Sequence, residues 1–282
     1  MAVQSTPYDR DAVKLSAQYE ALEAAKVHEA WAADYMPAKA GLACDIGAGT
    51  GRDARWLASL GWEVVAVEPS AALRSHVESA DMPGVTWLPD SLPALSALRR
   101  SGHRFDLILL SAVWQHVPPD QRARAFRLLA DRLNPGGTLV ITLRHGTDVK
   151  ENAERGFHPV SARELQGLAK DRALLVSAII PSADLKRLHV SWETMVFTLP
   201  DDGTGSLPLL RHIIVNENKS ASYKLALLRT LTRIAEGAPG AARLDGEDGV
   251  AIPLGLVGLY WIKQYLPLLT RHELREHANP KL

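Results

Sequence analysis

The sequence predicts an α/β protein built on a doubly wound, mostly parallel sheet, and three observations predict it. A strand ending in an acid, Asp45, breaks into a loop carrying Gly47, Gly49 and Gly51 and then opens a helix, ACDIGAGTGRD over 43–53. A second strand, WEVVAVEPS, follows that helix and ends in Glu68, completing one βαβ unit. Short apolar runs, of the kind buried on both faces of a sheet, then alternate with stretches of helical spacing as far as residue 146.

Glycine at alternate positions permits positive φ and lets a ligand approach the backbone with no Cβ in the way. Loop amides and the positive end of the following helix would then face an anionic group, a phosphate or an amino acid carboxylate. Alone, such a run is also what a tight strand-to-helix turn needs. An acid about 20 residues past the loop, at the tip of the second strand, can accept both hydroxyls of a ribose, and Glu68 stands there.

The elements follow in order. The first helix, DARWLASLG, repeats Ala54, Leu57 and Ala58 at helical spacing. After Glu68 come a helix over 71–80, a strand over 85–90, a helix over 92–102 and a strand over 105–111. Pro118 and Pro119 open the next helix, Asn134, Pro135 and Gly136 close it, and a strand runs over 137–146. LLVSAII (174–180) and WETMVFTLP (192–200) suit a closing antiparallel pair.

Composition bounds the function. The 282 residues are 46% hydrophobic and 23% charged, enough for one large domain or one domain plus an appendage. Lysine plus arginine and aspartate plus glutamate both total 32, so no basic excess draws the whole chain to nucleic acid or an anionic membrane. MAVQSTPYDRD lacks the charged-then-apolar pattern of a secretory signal, and a cytoplasmic chain is expected. The single cysteine, Cys44, lies inside the first apolar strand and reads as core. The apolar run over 251–269 is interrupted by Pro253, Lys263, Gln264 and Pro267 and reads as a packed helix, not a membrane span.

Taken together, CDIGAGTGRDARWLASLGWEVVAVEPS, Asp90 at a strand end, FDLILLSAVWQHV and LNPGGTLVITLRHG resemble the class I S-adenosylmethionine-dependent methyltransferases over about residues 8–200. The loop reads Gly47, Ala48, Gly49, Thr50, Gly51 where a dinucleotide-binding enzyme usually carries GxGxxG. The resemblance implies a Rossmann-like seven-stranded sheet over 1–200 and S-adenosylmethionine as cofactor. It implies that Asp45, Gly47, Gly49 and Gly51 hold the methionine part, Glu68 the ribose, and Asp90 with Ser91 or Leu92 the adenine edge. Arg52 either meets the cofactor carboxylate or is an ion-paired first-turn arginine. PD at 89–90 also suits a plain turn.

Ser111 and Val113, in SAVWQHVPPD, are expected beside the cofactor. A sulfonium methyl is already activated, so the protein mainly aligns the acceptor and excludes water. Where a base is needed, His116 is the candidate, the alternative being a histidine that fixes the loop. Arg144, His145, Arg155 and His158 cluster in RHGTDVKENAERGFHPV, where an acceptor lid would lie and arginine forks could clamp a carboxylate or phosphate. Tyr8 and Tyr19, in the leading helix, are candidates to cap the site. No metal is expected.

The acceptor expected is a small molecule, through O, N or S. Ser111, Ala112, Val113, Trp114 replace the acid or asparagine, two prolines and aromatic of the amino-methylating DNA enzymes, and Cys44 is misplaced for cytosine carbon-5 chemistry. Over 201–282 the composition changes: a linker-like DDGTGSLP, a helix over 207–237 with an apolar stripe of Leu225, Leu228, Leu231 and Ile234, a glycine-rich acidic loop and the final apolar helix. A helical cap or homodimer surface is the main reading. Arg211, Lys219, Lys224, Arg229 and Arg233 keep open a second one, a regulatory protein acting on a nucleic-acid or protein partner through this tail.

Overall fold

A computed structural model describes residues 7–78, 82–184, 186–200, 223–245 and 249–271. Clustering divides the chain into two compact units, Met1–Leu210 and Arg211–Leu282.

The first unit carries a seven-stranded sheet: β1 (Leu42–Ile46), β2 (Glu63–Val67), β3 (Val85–Leu88), β4 (Phe105–Leu110), β5 (Leu133–Gly146), β6 (Leu175–Ala183) and β7 (Val190–Thr198), in the order β3-β2-β1-β4-β5-β7-β6. Strands β1 to β5 pair in parallel, while β7 runs antiparallel between β5 and β6, the closing pair expected from LLVSAII and WETMVFTLP. The strand order reverses at β1 and β4. Their carboxyl ends therefore frame the crevice where open α/β sheets bind ligands.

Helices α1 (Pro7–Arg10), α2 (Ala12–Glu20), α3 (Ala24–Tyr35), α4 (Arg52–Ser59), α5 (Ala71–Glu78), α6 (Ser96–Ser101), α7 (Arg122–Ala130), α8 (Val149–Glu154) and α9 (Ala162–Lys170) flank the sheet. Side chains alternate across a strand, so each strand feeds two cores. Cys44, Ile108, Leu139 and Ile141 meet Leu98 of α6, Phe126 of α7 and Leu165 of α9. Ala43, Leu107, Leu109 and Val140 meet Trp31 of α3 and Leu57 of α4 on the other face. Each fully buried Leu, Ile or Phe stabilises by about 1.5–3 kcal/mol. Cys44 is wholly buried, and burial pushes its thiol well above the usual range.

Three sequence expectations are corrected. Helix α7 ends at Ala130, and LNPGG forms the start of β5 instead of a helix stop. Leu133 pairs with Phe105 before the register shifts. A Cβ at Gly137 would lie 2.8 Å from the Asn134 carbonyl and 3.0 Å from that of Phe105, so this bulge requires glycine. The helix expected over 92–102 is confined to 96–101. The polar loop 144–160 contains α8, because Asp148 accepts hydrogen bonds from the Lys150 and Glu151 amides and caps it.

In the second unit, α10 (Tyr223–Gly237) packs on α11 (Leu254–Arg271). Ile234 is buried, and the buried Thr230 hydroxyl accepts a 2.7 Å hydrogen bond from Gln264 Nε2. The expected glycine-rich loop instead holds a small hairpin, β8 (Arg243–Asp245) with β9 (Gly249–Ala251). The linker-like stretch, the expected helix before residue 223, Arg211 and Lys219 lie outside the described residues.

Candidate functional site

The glycine loop is tied to the sheet by backbone. Gly47 and Ala48 amides both donate to the Val67 carbonyl, at 2.8 and 3.0 Å, which draws the loop across the end of β2. Gly47 and Gly49 have φ of +74° and +57°, the left-handed region that glycine enters without strain. A Cβ at Gly47 would also come within 2.5 Å of Val113 Cγ2, so the loop lies directly against the segment after β4. Gly51 is the left-handed N-cap of α4.

Glu68 stands at the tip of β2 and is 6% exposed. Its carboxylate accepts from the Gly49 amide at 2.9 Å and the Ser70 amide at 2.8 Å. Burial pushes its pKa up, while the two amides oppose that shift. Asp45 is 1% exposed, and its Oδ2 has no hydrogen-bond partner. Burial, reinforced by the neighbouring Asp53 carboxylate, holds its carboxyl well above the usual range.

Arg52 is occupied elsewhere. Its Nε and Nη2 donate to the two Asp53 oxygens at 2.7 and 3.0 Å, and Nη1 reaches the Tyr19 carbonyl at 3.4 Å. Asp53 also faces His28 Nε2 at 3.1 Å, and the Trp31 indole donates to His28 Nδ1 at 3.1 Å. Since Nδ1 must keep its lone pair to accept, the proton sits on Nε2, facing Asp53. The structure thus favours the ion-paired reading of Arg52 over the cofactor reading.

Asp90 likewise serves the fold. Oδ2 accepts from the Ala97 and Leu98 amides at 2.7 and 2.9 Å, capping α6, and Oδ1 accepts from the Ser91 amide at 2.9 Å. The half-buried Ser111 and Val113 follow β4 directly. Ala112 between them has φ of +60° and donates its amide to Thr142 Oγ1 at 2.6 Å, which fixes the turn.

Opposite the glycine loop stands a wall of side chains. Tyr8 Oη lies 2.8 Å from His116 Nε2, and Arg155 Nη2 donates to Tyr8 Oη at 3.2 Å. Arg155 uses one acceptor site of the phenol oxygen, which keeps a second one and its proton, so the Tyr8–His116 bond runs in the direction the imidazole tautomer sets. Burial first, then Arg155 and His158, lower the His116 pKa to about 4. Burial pushes that of Tyr8 up to about 12 against the pull of Arg155. The Arg155 guanidinium lies 4.8 Å from the Phe157 ring centroid and 5.5 Å from that of Tyr8, and Arg144 covers Phe157 at 4.7 Å. The Arg155 charge also acts on the Tyr19 phenol, whose ring lies 3.5 Å from where a Gly49 Cβ would be.

The structure therefore brings Tyr8, Tyr19, His116 and Arg155 together, with the His158 amide bonded to the Gln115 carbonyl at 2.8 Å. It separates Arg144 from His145. Successive residues of a strand face opposite sides: Arg144 is 5% exposed and paired with Asn152 Oδ1 and Glu151, while His145 Nε2 meets Glu193 Oε2 at 2.7 Å on the side of Leu143. Sequence reading missed Phe157, whose signal was an aromatic between Arg155 and His158, and Gln115, which is 2% exposed. It also missed Asp9, which accepts from Ser70 Oγ at 2.6 Å. Among the described residues no group of three or more His, Cys, Asp or Glu could hold a metal ion, and no helix is long and apolar enough to cross a membrane.

A family model described as a methyltransferase domain matches residues 17–187. The chain belongs to the class I S-adenosylmethionine-dependent methyltransferases. S-adenosylmethionine is the cofactor of this methyltransferase. A domain of unknown function (DUF8808) matches residues 203–281. No curated protein matches the chain. Among solved structures, a chain of a Haloferax volcanii complex containing the Trm112 methyltransferase activator aligns with TM-score 0.55 and 17% identity, over 71% of this chain and all of that one. The N-methyltransferase NodS from Bradyrhizobium japonicum WM9 aligns with TM-score 0.50 and 14% identity, over 65% and 98% of the two chains. These likenesses show the fold.

Proposed function

We propose that the methyltransferase transfers the methyl group of S-adenosylmethionine to an O, N or S atom of a small molecule seated between the glycine loop and His116. One observation carries this reading. Tyr19 lies against Gly49, Tyr8 bonds His116, and Arg155 bonds Tyr8 and acts on the Tyr19 phenol, so one run of neighbours links the cofactor loop to the polar wall.

The residues fit the cofactor. The unpartnered Asp45 Oδ2 is a buried acceptor awaiting a donor, such as an ammonium. Loop backbone at Gly47, Gly49 and Gly51 leaves room for the amino acid end, and Glu68 retains acceptor sites for a ribose because each carboxylate oxygen offers two. Asp90, with three of its sites used by amides, keeps one for an adenine amine, beside Ser91 and Leu92, while Ser111 and Val113 floor the site. Arg52 is assigned to its pair with Asp53 in this reading.

When bound, the cofactor supplies an electrophilic methyl on a sulfonium. The chain supplies alignment and dryness. With its pKa near 4, His116 is neutral at pH 7 and a weak proton acceptor. With Nε2 taken by Tyr8, it fixes that phenol instead of driving deprotonation. Titration calorimetry with S-adenosylhomocysteine, followed by labelled-methyl transfer to a small-molecule extract, tests the proposal. Binding and transfer by the intact chain are expected. Absence of both would overturn the reading.

A further inference from the structure

The wall opposite the glycine loop holds more positive charge than it neutralises. Arg144, Arg155 and Arg187 all face the Glu151 carboxylate, the latter two at 3.5 Å, with His189 at 3.7 Å. Among the described residues a second carboxylate, Asp184, is ion-paired to one of these guanidiniums, 2.8 Å from Arg187. Three guanidiniums thus face two carboxylates among the described residues.

The surplus falls on Arg155. Arg144 takes the short contact to Glu151 and Arg187 the short contact to Asp184, leaving Arg155 with a 3.5 Å contact and two phenols. Those phenols are neutral ligands: burial raises the pKa of both, that of Tyr8 to about 12. Aromatic faces at 4.8 and 5.5 Å cover part of the guanidinium, whose side chain is 26% exposed and so remains open to a ligand. Its charge is felt across the site, being the second cause of the lowered His116 pKa.

The geometry points to Arg155, flanked by the Tyr8 and Tyr19 hydroxyls, as the site that grips a carboxylate or phosphate carried by the methyl acceptor. Such an oxyanion takes two parallel N–H donors from the guanidinium fork and holds the rest of the acceptor beside His116. This assignment of acceptor class rests on the methyl transfer proposed above. The competing role, a latch that only ties α1 and α2 to the site, predicts no selection for anions.

The test reads charge apart from turnover. Benzoate, phenyl phosphate and the neutral methyl benzoate are titrated into the full chain, free and with S-adenosylhomocysteine, while ring signals report the pKa of His116, assigned with His116→Gln. Either anion should raise that pKa by about half a unit or more as it offsets Arg155, methyl benzoate should not, and Arg155→Met should remove the response. In parallel, an extract is split on an anion exchanger and each fraction is offered with labelled cofactor. Label should enter the retained fraction, Arg155→Met should raise the acceptor KM about tenfold with cofactor affinity kept, and Arg155→Lys should fall between. Label confined to the unretained fraction, or the same response of His116 to all three probes, would overturn the proposal. Failure to bind cofactor would count instead against the methyl-transfer reading, and the anion titration would still decide this one.

Discussion

The glycine loop and the wall facing it are held by different kinds of bond over different spans of chain. Backbone fixes the loop: Gly47 and Ala48 bond Val67, and Gly49 bonds Glu68 across 19 positions. Side chains fix the wall: Tyr8 meets His116 across 108 positions and Arg155 across 147. A site made of backbone within one βαβ unit needs only the right local sequence. A site made of side chains from remote segments exists only once the sheet has brought them together, and its members can be exchanged without disturbing the fold. That difference suits a constant cofactor facing a variable acceptor.

Four substitutions break or sharpen the contrast. Gly49→Val forces a β-branched residue into φ +57° and drives it toward Tyr19; cofactor affinity by calorimetry should fall about a hundredfold or more, since such strain costs about 1–3 kcal/mol before the lost space is counted. Near-native binding would mean that the loop does not meet the cofactor. Glu68→Ala leaves the Gly49 and Ser70 amides without their acceptor. Stability should drop by about 1–3 kcal/mol in urea melts, and the ribose role proposed for Glu68 predicts a loss of cofactor affinity of about tenfold or more.

On the wall, pH is the probe. The folded pKa of His116, about 4, lies below its ordinary 6.5. Between those values the unfolded chain binds a proton that the native chain rejects, so the stability linked to His116 is fully present above pH 6.5 and is lost as pH falls toward 4. Thermal midpoints of wild type and His116→Gln, compared from pH 7 to 4.5, should diverge by about 2 kcal/mol at the acid end, wild type losing more. Parallel curves would place the imidazole in water. The smallest effect belongs to Arg52→Lys. Lysine cannot repeat the two-pronged bond to Asp53, so about 1 kcal/mol of stability should go, while the ion-paired reading of Arg52 predicts a change in cofactor affinity of less than about threefold. A tenfold loss of affinity would return Arg52 to the cofactor.

Legibility in the sequence follows the same division. The glycine loop, Glu68 and the succession of strands along the chain were readable because each depends on neighbours in the chain: positive φ at chosen positions, an acid at a strand tip, apolar runs of strand length. LNPGG was misread because proline and glycine end helices and build bulges alike, and only the pairing of Leu133 with Phe105 distinguishes the two. Arg52 and Asp90 were ambiguous for a related reason. A charged side chain at a helix start can meet a ligand or the fold itself, and here Asp53 and the α6 amides were the nearer partners.

By itself, then, the sequence determined the α/β class, the sheet's βαβ beginning and the family, since periodicity and glycine placement act within a few turns of chain. Tertiary structure alone decided that Arg144 and His145 face opposite sides of β5, that Tyr8 bonds His116, and that Arg155 shares Glu151 with Arg144 and Arg187. Charge balance and hydrogen-bond pairing depend on distances of a few ångströms between residues a hundred or more positions apart, and those distances are set by the packed sheet.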